Sequence, residues 1–488
     1  MTIPTRRDAL RRLATGGIGL SVGDALSLRA QSPRSSELLI RRGRVVNANG
    51  IADADVRIVG ETVAEIGSDL KPGVGAQVVE AAGRLLLPGG VDPHTHVSPG
   101  YGVDDFKTAS MAALAGGITT LGTFAAPDKG ETVQQALQAW TQRVERDAIA
   151  DVLLHSTAWP PTDDVIAAIS AIAERAQPSF KVFLSESDTG AHIHRLVRLL
   201  EAARDAGVVT MVHCEDASIV DAATRRLVAE GHTALRNYPA SRPVAAEIAA
   251  TTQVTAWCES LGVPLYVVHM SSARALEVSQ RTRKLRAPLF VETRPLYLHL
   301  TEERMAGPDG ALYVGEPPLR PASDGLELWR GLADGRIDVL GSDHAPFTRA
   351  QKTDPVVLSV ATHLAGMSDL QFMLPMYFSE GVHKRHLPLT RFVETTSTNA
   401  ARIFGMFPRK GVIRAGSDAD IVIWDPNRQG SVTAEADLSN ADYSVYEGWK
   451  VTGWPVTTIR RGEIVYDAGR ISGRVGTGRL VSRERWRQ

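Results

Sequence analysis

The chain has 488 residues, 43% of them hydrophobic, which is enough for a large core and more than one average domain. Lysine and arginine number 54 against 55 aspartate and glutamate, so no basic excess points to a nucleic acid partner. Two cysteines are too few for a disulfide framework or a cysteine-rich zinc site, and no apolar run is long enough for a membrane span.

The N-terminal region differs in composition from the rest of the chain. Arg6 and Arg7 precede a mildly apolar, glycine-rich stretch over residues 13–28. This pattern resembles a twin-arginine export signal, which directs a folded protein across a membrane. We expect residues 1–31 to be a signal peptide and the mature protein to be periplasmic or secreted. The alternative is a disordered basic N-terminus on a cytoplasmic protein, because an aspartate interrupts the apolar stretch.

Short apolar runs with partial alternation occupy residues 37–79, separated by glycine and asparagine. Similar runs return at residues 419–424 and 458–466. Such runs predict short antiparallel strands. We expect both ends of the chain to build one small β-sandwich domain.

The central part alternates apolar strand-like runs with helix-like segments, the pattern of successive βα units. Eight strands are predicted, at residues 85–91, 118–124, 152–158, 180–184, 208–213, 264–269, 288–292 and 337–342. Helices are predicted at residues 132–146, 164–175, 192–205 and 245–261. This is an α/β pattern, best interpreted as a (β/α)8 TIM barrel with its active site at the carboxyl ends of the strands. The predicted boundaries are residues 36–87 and 409–472 for the β-sandwich, 88–408 for the barrel, and 473–488 for a C-terminal tail.

Metal-ligating residue types recur at these strand ends. His94 and His96 follow the first strand, and alternate residues of an extended backbone point to the same side. Two converging imidazoles can share a metal ion. Four more candidates, each of which singly could be an ordinary polar strand end, lie at the fourth, fifth, sixth and eighth strands: Lys181, His213, His269 and Asp343. Their coincidence at one end of a barrel predicts a metal site.

Other histidines receive weaker assignments. His192 and His194 have the same spacing as the first pair, but they lie in a predicted helix, where residues two apart do not face each other. His155 precedes its strand end, which is compatible with simple packing. His299 and His344 are candidates for contacts with the substrate or with the metal-ligating residues.

Lys181 raises a chemical difficulty, because an ammonium group has no lone pair for a metal. Burial lowers the pKa of a lysine, and a neutral amine can take up carbon dioxide to form a carbamate, N6-carboxylysine. A carbamate offers two oxygens and can bridge two ions.

Seven motifs in consistent order resemble the cyclic-amidase branch of the amidohydrolase superfamily, which includes dihydropyrimidinases, hydantoinases, allantoinases and dihydroorotases. The motifs are Pro88-Gly-Gly-Val-Asp-Pro-His-Thr-His, Phe180-Lys-Val-Phe, Val212-His-Cys-Glu-Asp, Val268-His-Met-Ser-Ser, Glu292-Thr-Arg-Pro-Leu-Tyr-Leu, Pro317-Pro-Leu-Arg and Gly341-Ser-Asp-His-Ala-Pro-Phe. The resemblance covers residues 37–479.

The resemblance implies two metal ions, usually zinc. It implies that His94, His96 and Asp343 hold one ion and His213 and His269 the other, with carbamylated Lys181 bridging both. Two cations lower the pKa of a shared water, so that metal-bound hydroxide attacks an amide or imide carbon. Asp343 would act as general acid/base between that water and the leaving nitrogen. The resemblance also implies a homo-oligomer, a tetramer.

Two positions depart from hydantoinases and dihydropyrimidinases. Their tyrosine five residues after the bridging lysine corresponds here to Glu186, and their serine before a Pro-Pro pair corresponds to Glu316. Two carboxylates beside the substrate would favour a ligand with a cationic or hydrogen-donating group. The alternative is that they point to solvent or pair with arginines such as Arg294 or Arg320. Arg320 and His344 complete the predicted substrate-binding residues.

The predicted function is hydrolysis of a C–N bond in a small-molecule cyclic amide or imide of hydantoin or dihydropyrimidine type. The first alternative is an allantoinase-like ureide hydrolase, because residues 365–371 look more like allantoinases; the second is an amidase for non-cyclic substrates. The third is a non-catalytic scaffold, like the collapsin-response-mediator relatives of dihydropyrimidinases. Such scaffolds lose metal ligands, whereas all six candidates are present here.

Overall fold

The computed structural model describes residues 37–97, 102–285 and 287–487. The predicted export signal lies outside these residues and stays a prediction. Within the described residues, no helix combines the length and the apolar character that a bilayer crossing requires.

Strands from both ends of the chain form one mixed sheet of nine strands. They are β1 (Glu37–Asn47), β2 (Gly50–Val59), β3 (Thr62–Gly67), β4 (Gln77–Glu80), β5 (Leu85–Pro88), β14 (Ile421–Ser431), β15 (Lys450–Arg460), β16 (Glu463–Asp467) and β17 (Arg470–Ile471). β5 pairs parallel with β1 and antiparallel with β14, so it joins the N-terminal strands to the C-terminal ones. Buried side chains such as Ile40, Val56 and Ile423 form the core of this unit. A separate unit made from both chain ends is thus confirmed.

The second sheet consists of eight strands in sequence order, all paired parallel. They are β6 (Gly90–Thr95), β7 (Ile118–Ala125), β8 (Asp151–Thr157), β9 (Ser179–Phe183), β10 (Val209–His213), β11 (Leu265–Val267), β12 (Leu289–Thr293) and β13 (Val339–Leu340). The backbone N–H of Asp343 donates to His94 O at 2.8 Å, and that of His96 donates to His344 O at 2.7 Å. These bonds link the segment after β13 to β6 and close the predicted (β/α)8 barrel.

Helices connect the barrel strands and cover the sheet. The α-helices are Phe106–Ala115, Val133–Asp147, Asp163–Glu174, Thr189–Ala206, Ala217–Ala229, Tyr238–Ser241, Val244–Leu261, Ala273–Lys284, Pro295–His299, Ala322–Asp334, Arg349–Lys352, Leu370–Tyr377, Leu389–Val393 and Asn399–Ile403. The 3-10 helices are Leu235–Asn237, Glu302–Ala306, Gly310–Tyr313, Pro355–Val357 and Ala434–Ala436, and the segments Phe378–His383 and Glu394–Thr398 are π-helical. Asp105, Thr132 and Thr162 each begin a helix by accepting a bond from the backbone N–H three residues on.

The first barrel strand differs from the prediction. The sequence predicts one strand over residues 85–91, whereas Leu85–Pro88 is β5 of the terminal sheet and the barrel begins with β6 at Gly90. The chain crosses between the two sheets at Gly89, where a Cβ atom would lie 2.2 Å from the Thr119 hydroxyl. The apolar run is therefore buried in the terminal sheet, and His94 lies within a barrel strand rather than after one.

The segment after β17 packs on the barrel at the start of β8, the end opposite to the predicted site. The backbone N–H of Val152 donates to Arg479 O at 2.9 Å, and the backbone carbonyl of Val152 accepts a hydrogen bond from the Val481 N–H at 2.7 Å. The buried Arg483 side chain donates to Leu154 O at 2.7 Å. The predicted C-terminal tail thus adds contacts to the barrel.

Candidate metal centre

The six predicted metal-ligating residues come from five barrel strands. They are His94 in β6 with His96 after it, Lys181 in β9, His213 at the end of β10, and His269 and Asp343 shortly after β11 and β13. The ring centroids of His94 and His269 are 5.4 Å apart, and those of His213 and His269 are 4.5 Å apart. One ligand atom each of His94, His269 and Asp343 lie within 4.8 Å of one another. The strand ends thus bring these side chains to one place.

Asp343 contacts both histidines of the first pair. Its Oδ1 lies 3.2 Å from His94 Nε2 and 3.0 Å from His96 Nε2, while its Oδ2 accepts a hydrogen bond from Arg294 Nη1 at 2.7 Å. Burial opposes ionisation of this carboxyl group, but the charges of Arg294 and the two histidines hold its pKa well below the ordinary value. Its φ of 51° lies in the left-handed region, which is strained for a residue other than glycine. The fold therefore holds an ionised carboxylate here.

His213 and His269 form the other half of the cluster. Burial is the main cause that lowers the pKa of both imidazoles, and Lys181 adds to the effect. A neutral imidazole is the form that binds a metal ion. His213 Nε2 lies 2.8 Å from Glu215 Oε2, which leaves Nδ1 as the nitrogen available to a metal. His269 has a φ of 38°, so it shares the strained backbone of Asp343.

Lys181 lies beside the histidines in largely aromatic surroundings. It is 1% exposed, and its Nζ is 5.1 Å from the ring centroid of Phe124 and 5.0 Å from that of Phe183. The Phe124 ring in turn lies 5.2 Å from the His94 ring and 5.0 Å from the His96 ring. A neutral amine is the form of lysine that reacts with carbon dioxide, so the proposed carbamate requires Lys181 to lose its proton.

Two buried carboxylates near the cluster were not assigned a role from the sequence. Glu292 in β12 accepts hydrogen bonds from His94 Nδ1 at 2.7 Å, the His269 backbone N–H at 3.0 Å and the Tyr266 hydroxyl at 2.8 Å. Asp92 in β6 accepts from the backbone N–H groups of His94 and Ser342, both at 3.1 Å, and burial raises its pKa to about 6. Glu292 and Asp92 could have been identified from the sequence, because each is an acidic residue inside an apolar strand.

The donor set fits the binding of a divalent metal ion. Imidazole nitrogens and carboxylate oxygens are ordinary zinc ligands, and a histidine ligand commonly gives its other ring nitrogen to a carboxylate. His94 has this arrangement, because Nδ1 bonds to Glu292. Its Nε2 is buried and lies 3.2 Å from Asp343 Oδ1, but it makes no hydrogen bond of regular geometry among the described residues. A buried nitrogen of this kind is explained if it is a metal ligand.

The structure pairs Glu316 with neighbours that the sequence did not suggest. Its Oε1 lies 3.1 Å from His363 Nε2 and 3.6 Å from Arg242 Nη1. Arg242 is also bonded at 2.6 Å to Glu215, the residue that contacts His213. A pairing of Glu316 with an arginine is thus present, but the arginine is neither Arg294 nor Arg320. Arg242 is a residue that the sequence reasoning missed.

The other predicted substrate-binding residues lie in different environments. Glu186 follows β9 and is half-buried, and its carbonyl oxygen accepts the Thr189 hydroxyl at 2.7 Å. Arg320 is buried and donates to Ser271 Oγ at 3.1 Å and to the Arg242 carbonyl at 2.7 Å. His344 is buried between Asp104, which lies 2.9 Å from Nε2, and the backbone N–H of Asp369, which donates to Nδ1 at 3.2 Å. Their roles toward a substrate stay predictions.

The other histidines considered in the sequence have different surroundings, and a role of His299 at the site stays a prediction. His192 and His194 are in the helix Thr189–Ala206, as predicted. His155 is buried, with its ring nitrogens 2.7 Å from Ser179 Oγ and 2.8 Å from Pro93 O. His299 packs among aromatic rings, including that of Trp329, and burial lowers its pKa to about 3.

A profile of the Amidohydrolase family matches residues 85–465. The chain belongs to this family. A D-hydantoinase from Geobacillus stearothermophilus is 36% identical over 456 residues, 92% of this chain and 97% of the relative. A D-phenylhydantoinase from Escherichia coli is 32% identical over 453 residues, 92% of this chain and 98% of the relative.

Solved structures agree with the family assignment. A crystal structure of dihydropyrimidinase from Brevibacillus agri is 34% identical with a TM-score of 0.88, covering 93% of this chain and all of that one. An L-hydantoinase (dihydropyrimidinase) structure from Arthrobacter aurescens is 28% identical with a TM-score of 0.83, covering 91% of this chain and 99% of that one. The predicted resemblance is confirmed, and so is the prediction of a hydrolase of carbon–nitrogen bonds other than peptide bonds.

Proposed function

We propose that this amidohydrolase is a binuclear metal-dependent enzyme that cleaves a C–N bond in a cyclic amide or imide of hydantoin or dihydropyrimidine type. The observation that carries the proposal is the convergence of four histidines, one aspartate and one buried lysine at the carboxyl end of a (β/α)8 barrel. The similarity to D-hydantoinases and to a dihydropyrimidinase supports the substrate class.

In this proposal the six side chains divide into two ligand sets. His94, His96 and Asp343 would hold one ion, His213 and His269 would hold the other, and Lys181 as N6-carboxylysine would contribute to both sets. When bound, two divalent ions, which we propose to be zinc, supply Lewis acidity to a water molecule and to the substrate carbonyl. The Glu292 carboxylate and the Glu215 carboxylate orient His94 and His213 for this task through bonds of 2.7 and 2.8 Å.

Asp343 is the proposed general acid/base. Its pKa lies well below the ordinary value, so it is ionised at neutral pH and can accept a proton from the attacking water. Its Oδ1 contacts the histidine pair, while Arg294 holds its Oδ2 at 2.7 Å. The protonated carboxyl group then gives the proton to the leaving nitrogen as the C–N bond breaks. The product is the ring-opened amide.

A ureide hydrolase of the allantoinase type is the second candidate. The segment after β13 favours it, because residues 365–371 look more like allantoinases. This segment includes Asp369, which bonds to Arg294 at 2.8 Å. Arg294 also bonds to Asp343, so it links the two aspartates. A non-cyclic amidase is a further alternative, whereas the enzyme relatives disfavour the non-catalytic scaffold.

Turnover of a substrate panel by metal-replete protein tests the proposal. The panel contains hydantoin, dihydrouracil, allantoin, dihydroorotate and N-acyl amino acids. We expect the highest kcat/KM with hydantoin or dihydrouracil. Asp343→Asn keeps the side-chain size and should lower kcat by about 10²- to 10⁴-fold, the scale of general acid–base catalysis. Fastest turnover of allantoin or of an N-acyl amino acid would favour the corresponding alternative, and no turnover of any panel member by metal-loaded protein would contradict the proposed substrate class.

We also propose a homo-tetramer, which rests on the resemblance to cyclic amidases. Light scattering on the purified full-length protein tests it, with a mass of four chains as the expected result and a mass of one chain as the result against it.

A further inference from the structure

Arg294 follows β12 and connects two buried carboxylates. Its Nη1 donates to Asp343 Oδ2 at 2.7 Å and its Nη2 donates to Asp369 Oδ2 at 2.8 Å, with the arginine side chain 1% exposed. We propose that Arg294 is a positioning residue for the reaction, and that Tyr446, from the C-terminal part of the chain, sets its position through Asp369. The inference rests on the proposed function, because it assigns to Arg294 the orientation of the general acid/base.

The carboxylate of Asp343 needs such a partner, because its two oxygens have different surroundings. Oδ1 lies 3.2 and 3.0 Å from the Nε2 atoms of His94 and His96, whereas Oδ2 faces Arg294. The backbone N–H of Asp343 is fixed by a 2.8 Å bond to His94 O, but that bond does not fix the carboxylate plane. The terminal torsion of an aspartate is broad, so the plane turns unless a neighbour holds it. A planar guanidinium holds one oxygen in a defined direction.

Asp369 in turn holds Arg294. Its Oδ1 accepts the Tyr446 hydroxyl at 2.7 Å, and its backbone N–H donates to His344 Nδ1 at 3.2 Å. Both oxygens of Asp369 are thus engaged, one by Arg294 and one by Tyr446. Arg294 Nε has no hydrogen-bond partner among the described residues. The guanidinium group of Arg294 therefore leaves one N–H donor without a hydrogen bond in the described part of the chain. Its position is determined by the two carboxylates of Asp343 and Asp369.

Tyr446 reaches this network from outside the barrel. It lies in the connection between β14 and β15, residues 432–449. Asp437 of this connection accepts the Ser368 hydroxyl at 2.7 Å, one residue before Asp369. Ser439 donates to Asp104 Oδ2 at 2.7 Å, and the same oxygen contacts His344. The connection thus packs on the segments that carry Asp343 and Asp369, and a barrel without it lacks the hydroxyl that completes the network.

Two variants separate positioning from general stability. Arg294→Lys keeps one positive charge but loses the fork that joins two carboxylates, and Tyr446→Phe removes only the hydroxyl bonded to Asp369. Arg391→Lys and Tyr377→Phe are matched controls, because Arg391 bonds to the Leu332 and Ile337 carbonyls and Tyr377 bonds to Thr395, away from the cluster. We expect the controls to keep the wild-type kcat.

The experiment measures kcat and KM for the best substrate of the panel, together with zinc content and the visible absorption of Co²⁺-substituted protein. We expect kcat to fall about 100-fold in Arg294→Lys, the scale of a misplaced catalytic group, and about tenfold in Tyr446→Phe. KM should change less than about threefold, because substrate binding is retained. Added guanidinium chloride should raise kcat of Arg294→Ala at least about tenfold, a response that a merely structural role would not give.

The Co²⁺ spectrum is a readout that needs no turnover. A turned Asp343 carboxylate should shift the absorption bands in Arg294→Lys and in Tyr446→Phe but not in the controls. If the wild-type protein hydrolyses no amide, the proposed function fails while this shift still tests the network. Wild-type kcat and an unshifted spectrum in both Arg294→Lys and Tyr446→Phe would overturn the inference.

Discussion

Glu292 Oε1 lies 2.7 Å from His94 Nδ1 and 3.0 Å from the backbone nitrogen of His269. A single oxygen in β12 thereby fixes the ring of one predicted ligand and the backbone of another. Because Nδ1 of His94 is engaged, Nε2 is the nitrogen left for a metal. The orientation of the metal centre thus depends on a residue that is not itself a predicted ligand.

Substitution of Glu292 should weaken metal binding. In Glu292→Gln the charge that attracts the His94 ring is lost while the side-chain size is kept, so we expect zinc affinity to fall about 10- to 100-fold. Competition with a chromophoric chelator measures the affinity. Tyr266→Phe is the matched control, since its hydroxyl donates to the other Glu292 oxygen at 2.8 Å and bonds to neither histidine. Equal zinc affinity in Glu292→Gln and wild type would contradict this role.

Glu186 and Glu316 should affect substrate choice. Glu316 is already paired with His363 and lies near Arg242, so its charge is partly neutralised. We expect both Glu186→Gln and Glu316→Gln to change the relative kcat/KM for neutral, cationic and anionic amides, and the change in Glu316→Gln should stay below about tenfold because Arg242 lies nearby. Zinc content should stay at the wild-type value in both variants. Unchanged relative rates in both would show that neither carboxylate selects the substrate.

A buried ion cluster at the start of β8 should make stability depend on pH. Lys410 Nζ lies 2.8 Å from Asp151 and 2.5 Å from Asp420. Burial raises the pKa of Asp151, but the charges of Lys410, Arg461 and a neighbouring arginine outweigh it and lower the pKa below 3.8. A carboxylate with a lowered pKa contributes stability above its unfolded pKa and loses it as the pH falls through its folded pKa.

Lys410→Met removes the lysine cation that lies beside the Asp151 and Asp420 carboxylates. At pH 7 we expect the free energy of unfolding in urea to fall by about 3–5 kcal/mol, the usual cost of breaking a buried ion pair. The difference from wild type should shrink near pH 3.5, where protonation neutralises the carboxylates that have lost Lys410. Lys384→Met, at a largely exposed lysine, is the control and should cost less than about 1 kcal/mol. A constant difference across this pH range would contradict the assignment.

The proposed export signal can be tested on the precursor. If Arg6 and Arg7 belong to a twin-arginine signal, the mature chain should begin near Gln31 and be found outside the cytoplasm of its native host. The double variant Arg6→Lys with Arg7→Lys should remain inside at precursor mass. Mass spectrometry of each cell fraction measures this, and a wild-type chain with an intact N-terminus in the cytoplasm would refute the proposal.

Much of the fold follows from local patterns in the sequence. The helix Val244–Leu261 begins one residue from its predicted start at residue 245, because helix formation there depends on neighbouring residues. The sequence places β5 in the barrel, because an apolar run before Pro-Gly-Gly fits a barrel strand as well as it fits a strand of the terminal sheet. Its partners β1 and β14 decide the assignment, and β14 lies more than 300 residues along the chain.

The metal-ligating residues could be predicted because the carboxyl ends of all barrel strands meet at one end of the barrel. Histidine and aspartate at several strand ends are therefore expected to lie close together. Their partners could not be found in this way. Glu292, Arg242 and Asp369 act through contacts between segments that are distant in the sequence. A charged residue in a strand or loop does not reveal which partner it meets. Tyr446 is the extreme case, since it reaches Asp369 from the connection between two strands of the other sheet.

We propose above all that Lys181 and the five other candidate ligands hold the metal ions that make the enzyme active. Zinc per chain and turnover of hydantoin, measured on the same samples of wild type and Lys181→Ala, test it most directly. We expect about two ions per wild-type chain, and Lys181→Ala should lose metal and at least about 10²-fold in kcat. Propionate, which supplies a carboxylate in place of the carbamate, should restore part of both, with bicarbonate as the control. Lys181→Ala protein with full zinc and full activity would contradict the account.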